Sequence, residues 1–167
     1  MNDIIFALAS AKGRAGVSVI RVSGKNSIFS IEKLLKNTLP VDNKCLRKIY
    51  DADDNIIDEV LILTFKEKAS FTGDETVEIH CHGSTAVVTY ILQTLSNIKN
   101  FRIADPGEFT RRALENGNLD LTQVEGLADL IESETEAQRR LAIRSMDGAL
   151  SSKVQEWRKD LIRAVSL

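Results

Sequence analysis

The stretch Thr76-Val77-Glu78-Ile79-His80-Cys81-His82, with the apolar run Thr85–Leu95 directly behind it, decides the fold class. The first part alternates strictly. Val77, Ile79 and Cys81 fall on one side and Glu78, His80 and His82 on the other, the period of a half-buried strand. Thr85–Leu95 reads as an apolar helix. Working outward, Ile4–Ala9 is a compact apolar run that reads as a first strand, ending in the glycine-punctuated loop Ser10–Gly16. Val17–Ser23 is a second strand, closed by Gly24, and Ile28, Ile31, Leu34 and Leu35 give Ser27–Leu35 helical spacing. Two runs, Leu46–Ala52 and Ile56–Phe65, flank Asp53-Asp54-Asn55 as a hairpin, and Phe101–Ala104 is a short strand. Hairpins mixed with helices predict an α+β layer fold rather than a doubly wound parallel sheet.

Beyond Ala104 the sequence predicts helices with explicit punctuation. Asp105-Pro106-Gly107-Glu108 places an N-cap, Pro at the first helical position and Glu at the third, and Gly117 suits the stop. Asp120 and Gln123 predict a second capping box, with Leu119 and Val124 as its hydrophobic staple; Ser133 and Glu136 predict a third. From there the reading is helical to the end, with Ala142, Met146, Leu150, Val154, Trp157, Leu161 and Val165 on one apolar stripe. The last residues, Leu161–Leu167, are apolar and uncapped. They predict a chain that continues within a helical domain; the alternative is a C-terminal helix that packs on a twin subunit.

Charge follows the same division. Residues 1–118 carry 15 acidic and 15 basic side chains, whereas residues 119–167 carry 9 and 7. In the second stretch Asp120, Glu125, Asp129, Glu132, Glu134 and Glu136 precede every Lys and Arg. The expected domains are therefore 1–118 and 119–167. The whole chain, 167 residues with a net charge of −2, is long enough to bury a core and too near neutral for a protein dedicated to gripping phosphate backbones. Cys45 and Cys81 read as free thiols of a reducing compartment. Without a basic leader or an apolar run of about 18–20 residues, the expectation is a soluble cytoplasmic protein with no membrane partner.

Few residues invite chemistry. Gly13 and Gly16 follow a strand but lead into another strand, so no helix N-terminus receives a phosphate, and no G-x-x-x-x-G-K-[ST] occurs. Arg21 interrupts an otherwise apolar strand, where it needs an ion-pair partner or an anionic ligand. Glu78, His80 and His82 share one strand face. His-x-His with one carboxylate could hold a metal, but a polar or ligand-facing sheet surface is the reading taken, with no metal. Arg21 and Glu78, both charges on apolar strands, can meet over one sheet face.

These residues combine into a recognisable set. Gly13-Arg14, Val19-Ile20-Arg21-Val22-Ser23-Gly24, Asp58, Ser70-Phe71-Thr72-Gly73-Asp74, Val77-Glu78-Ile79-His80, His82-Gly83 and Pro106-Gly107-Glu108-Phe109-Thr110 occur in order. Arg112-Ala113, Asn116-Gly117, Leu119-Asp120-Leu121, Gln123-Val124-Glu125 and Ala128-Asp129-Leu130-Ile131 follow. Over essentially the whole chain this resembles the N-terminal part of the tRNA-modification GTPase family MnmE (TrmE). The resemblance implies a two-layer domain similar to the tetrahydrofolate-binding domain of aminomethyltransferases, then the first helices of an all-α domain. The family's GTPase domain and Cys-bearing C-terminal motif have no counterpart here.

The resemblance further implies a homodimer that works with an FAD-dependent partner, MnmG (GidA), to modify C5 of the wobble uridine of tRNA. The implied cofactor is 5-formyltetrahydrofolate or a related tetrahydrofolate; the full-length family also uses GTP, Mg and K ions. Three positions of the family's folate site carry over. Arg21 matches its Arg, Glu78 its Glu, and Asn118 stands where the family has Lys. Asn118 keeps hydrogen-bonding capacity without the charge, so Arg111 or Arg112 replaces the ionic contact or folate binds more weakly. Two further departures are Ser84 after His82-Gly83, where a second Gly is frequent, and Asp105 before Pro106, where Arg is usual. No catalytic residue is assigned. The rival readings are a dimerisation and scaffold module with a degraded folate pocket, and a free-standing folate-dependent aminomethyltransferase.

Overall fold

The computed structural model describes residues 3–166. They divide into two compact units, with the boundary between Asn116 and Gly117. The first contains β1 (Ile4–Leu8), β2 (Ala15–Ser23), α1 (Ser27–Leu35), β3 (Lys44–Tyr50), β4 (Ile56–Phe65), β5 (Thr76–Gly83), α2 (Thr85–Ser96), β6 (Phe101–Ile103) and α3 (Glu108–Glu115). The strands form one sheet in the order β3-β4-β5-β2-β1-β6. Its neighbours are antiparallel except for β1 and β6, which run parallel.

Alternation turns one face of this sheet into the core. Phe6, Ile20, Val22, Val60, Ile62, Val77 and Ile79 are each fully buried, together with Ile31 of α1 and Ile91 and Leu95 of α2. Each such side chain contributes roughly 1.5–3 kcal/mol of burial, so the two helices and the sheet are held as one layer pair. The opposite face carries Arg21, Glu78 and His80, the polar members of the same alternations. Part of it is overlaid by Phe71 and by Phe109 of α3, whose rings stand over the Arg21 guanidinium.

The second unit is helical: α4 (Leu121–Glu132), α5 (Glu136–Met146) and α6 (Ala149–Val165). Asp120 and Gln123 make the expected reciprocal cap of α4. Close approach of α4 to α5 is set by Gly126, where a Cβ would stand 2.8 Å from Ser145 Cβ and 3.0 Å from the Met146 nitrogen.

Three expectations are corrected. α3 starts at Glu108, with Gly107 at its N-cap at φ 73°, and Asp105-Pro106 lie in the turn before it. The Glu108 carboxylate still accepts from the Asp105 N–H at 2.8 Å, but its main partners are arginines, which draw the helix start onto the sheet edge. The third capping box is Thr135 with Gln138, because Ser133 already serves as the C-cap of α4. The last helix is not continuous: Gly148, at φ 75°, breaks it into α5 and α6. Only glycine adopts that backbone cheaply, so the apolar stripe drawn across residues 142–165 spans two helices; the side chain of Leu150 lies outside the described residues. No helix among the described residues is long and apolar enough to cross a membrane.

Candidate functional site

Arg21 and Glu78 are direct cross-strand partners in the antiparallel pairing of β2 with β5. Both side chains rise from the face opposite the core, and Glu78 Oε1 accepts from Arg21 Nε at 3.0 Å and from Nη2 at 2.8 Å. Both are mostly sheltered, at 24% and 17% exposure. The guanidinium also stands 5.2 Å from the Phe71 ring centroid and 5.6 Å from that of Phe109. Sheltered contacts of this kind contribute about 1 kcal/mol each. The pair leaves Arg21 Nη1 as a donor, while Glu78 Oε2 lies 3.5 Å from His80 Nε2.

Two anchors hold the rings in place. Phe71 belongs to a turn pinned by a buried hydroxyl cluster. Ser23 Oγ and Thr72 Oγ1 are 2.7 Å apart, Thr76 donates to Ser23 at 3.1 Å, and Asn116 Nδ2 donates to the Thr72 carbonyl at 2.8 Å. Phe109 is carried by α3, which is tied down by its neighbour Glu108. That carboxylate, 1% exposed, accepts from Arg102 at 2.8 and 2.5 Å and from Arg112 at 3.2 Å. Asp3 completes the cluster, accepting from Arg102 at 2.6 Å and Arg112 at 3.1 Å. The Arg102 hydrogen bonds lead in pulling the Glu108 carboxyl down to about 2, and the same bonds raise Arg102.

The histidines do not converge on one point. His80 turns toward Glu78, and its buried Nε2 has no hydrogen-bond partner. His82 instead has its Nδ1 2.7 Å from Asp58 Oδ1, and its backbone N–H donates to Asp58 Oδ2 at 2.8 Å. Among the described residues no group of three His, Cys, Asp or Glu could hold a metal ion.

Two family models match the chain. The model described as "GTP-binding protein TrmE N-terminus" covers residues 4–118, and that described as "MnmE helical domain" covers residues 121–167. The chain belongs to the TrmE (MnmE) family. Curated relatives named tRNA modification GTPase MnmE include that of Dinoroseobacter shibae, 52% identical over 99% of this chain and 38% of its own length. The Roseobacter denitrificans protein is 54% identical over 99% of this chain and 39% of its own, and that of Phenylobacterium zucineum 46% over 100% and 37%. The chain thus spans a little under two fifths of the length of these relatives.

Arg21 and Glu78 come together, and Asn118 belongs to the second compact unit, between Gly117 and the Asp120 cap of α4. Arg112 is not available to replace a missing lysine: its side chain is 9% exposed and held by Asp3 and Glu108. Arg111 is half-exposed, 3.7 Å from Glu108 and 4.0 Å from Glu115. Sequence reasoning assigned no role to Phe71 and Phe109, and it did not join Asp58 to His82. The motif stretches Ser70–Asp74 and Pro106–Thr110 contained the rings, but nothing in their spacing says that they meet over one arginine.

Proposed function

We propose that the Arg21–Glu78 pair is the anchoring point for a reduced folate, and that this chain is the folate-binding and dimerising portion of a tRNA-modifying GTPase. The observation that carries the reading is the pair itself. An arginine flanked by two aromatic rings and locked to a carboxylate offers a donor and an acceptor over one sheet face. A pterin has the complement: a planar ring with a carbonyl acceptor and adjacent N–H groups. Arg21 would take the carbonyl side, Glu78 the amino and ring N–H side, and Asn118 a polar contact without charge. When bound, the folate supplies the one-carbon unit for C5 of the wobble uridine, with an FAD-dependent partner such as MnmG. The names of the relatives, tRNA modification GTPase, support that setting, as does the match to the N-terminal family model. Domains 1–118 and 119–167, the homodimer and a cytoplasmic location belong to the same reading. GTP, Mg and K would act elsewhere in the full-length protein, and this chain alone is expected to hydrolyse no GTP.

Calorimetry with 5-formyltetrahydrofolate tests this. Saturable binding is expected, weakened at least tenfold by Arg21→Ala and by Glu78→Ala, since each leaves the other charge without its partner. Absence of heat at millimolar ligand would remove the folate claim. One observation favours a second reading, a dimerisation scaffold with a degraded pocket: Arg21 and Glu78 already neutralise each other, and Asn118 lacks the lysine charge. A dimer in solution that binds no folate would support it.

A further inference from the structure

A groove beside the Arg21–Glu78 pair is shaped by one glycine. A Cβ at position 83 would stand 2.5 Å from the Ala15 carbonyl oxygen, so β2 can close on β5 there only because Gly83 has no side chain. The pairing register shifts between Ala15 and Ser18, and Gly16 and Val17 form one wall of a groove of about 330 Å³. Leu46, Leu61, Glu59, His80, Cys81 and His82 supply the rest of its lining. Val17, Leu46 and Leu61 are exposed apolar side chains, at 58%, 58% and 38%.

His82 lies at the rim, 71% exposed, against an Asp58 side chain that is only 9% exposed. Asp58 takes His82 by both the ring and the backbone N–H, at 2.7 and 2.8 Å. A carboxylate only accepts, so Nδ1 holds a ring proton, and in the neutral imidazole the acceptor is Nε2, on the side of the ring away from Asp58. The carboxylate that fixes a tautomer in this way also makes the second nitrogen a better acceptor. Glu59, the other charged group lining the groove, is an acceptor as well.

We infer that His82 Nε2, oriented by Asp58, is the hydrogen-bond acceptor for an N–H group of a flat, weakly polar ligand seated in this groove. Asp58 is the positioning residue and His82 the contact. The inference rests on the folate reading only for the ligand's identity, since the aryl-amine N–H of a folate is of this class. His80, Glu59, Cys81 and Asp58 are the titratable groups around the ring, and the β2 wall of Gly16 and Val17 adds none.

The chain has two histidines, so their ring nitrogens can be followed separately by ¹⁵N NMR. Saturating 5-formyltetrahydrofolate is expected to shift His82 Nε2 while Nδ1 stays protonated. His82→Ala should weaken binding about tenfold, and Asp58→Asn should weaken it through loss of the fixed tautomer, with circular dichroism unchanged. His82→Gln, whose amide oxygen can still accept but is not held by Asp58, should recover part of the binding lost in His82→Ala. Native affinity in both His82→Ala and His82→Gln, or an Nε2 signal unmoved at saturation, would overturn the inference. 4-Aminobenzoylglutamate, which carries the aryl amine without the pterin, separates the two claims. If it moves His82 Nε2 while the folate does not bind, the folate reading fails and the groove stands. If neither ligand moves it, the groove assignment fails.

Discussion

At the scale of single residues, Glu108 matters beyond its size. It is a fully buried carboxylate held by two arginines, and it positions the helix that carries Phe109 over Arg21. Breaking a buried charge cluster by removing one member costs about 3–5 kcal/mol. Glu108→Gln keeps the shape and loses the charge, so urea unfolding should show a loss of about 3 kcal/mol. The acid limb follows from the same group. Its carboxyl is depressed from 4.5 to about 2, so its stabilisation is complete above pH 4.5 and drains away as pH falls toward 2. The native chain should therefore lose stability steeply below pH 4.5, and Glu108→Gln should flatten that limb. Arg21 makes a separate point about charge type. Arg21→Lys preserves the charge but not the planar fork that lies between two rings, and it is expected to bind folate no better than Arg21→Ala.

At the scale of elements, the close approach of α4 and α5 sets two effects against each other. Gly126→Ala gains about 1 kcal/mol of helix propensity. Against that, the new methyl meets Ser145 Cβ at 2.8 Å and the Met146 nitrogen at 3.0 Å, and backbone cannot yield as a side-chain tip does. A net loss of about 1–2 kcal/mol is expected in the helical unit, read by its thermal melt. The elements themselves were largely legible in the sequence. Period-2 alternation in Thr76–His82 and helical spacing in Ser27–Leu35 reappear almost residue for residue, because each has one face against the core. Arg21 and Glu78 could be paired from sequence because both are the odd charge on an apolar strand. Capping competed less predictably: Thr135 took the box expected of Ser133, and Gly148 stopped a helix whose apolar spacing ran straight through it. The aromatic flanks of Arg21 and the Asp58–His82 pair escaped altogether. They depend on where a turn and a strand end come to rest, which no local period encodes.

For the whole molecule, burial is very uneven. The apolar core cluster lies within residues 4–101. In the second unit Ala142 is the one buried apolar residue among those described, while Leu121, Ile131, Leu141, Trp157, Leu161 and Val165 are exposed. Hydrogen exchange should therefore find the slowest amides in β1, β2, β4 and β5 and much faster exchange along α6. Protection in α6 equal to that of β5 would contradict this burial pattern. The parallel pairing of β1 with β6 also reaches past equilibrium structure, to the order in which the protein can be built. Ile4, Ile5 and Phe6 meet Phe101, Arg102 and Ile103, so the first strand waits for a partner made 97 residues later. At roughly 5–20 residues per second, that is a wait of roughly 5–20 s on the ribosome. Throughout it one edge of β1 lies open, which makes the growing chain, rather than the finished sheet, the stage more exposed to misassembly.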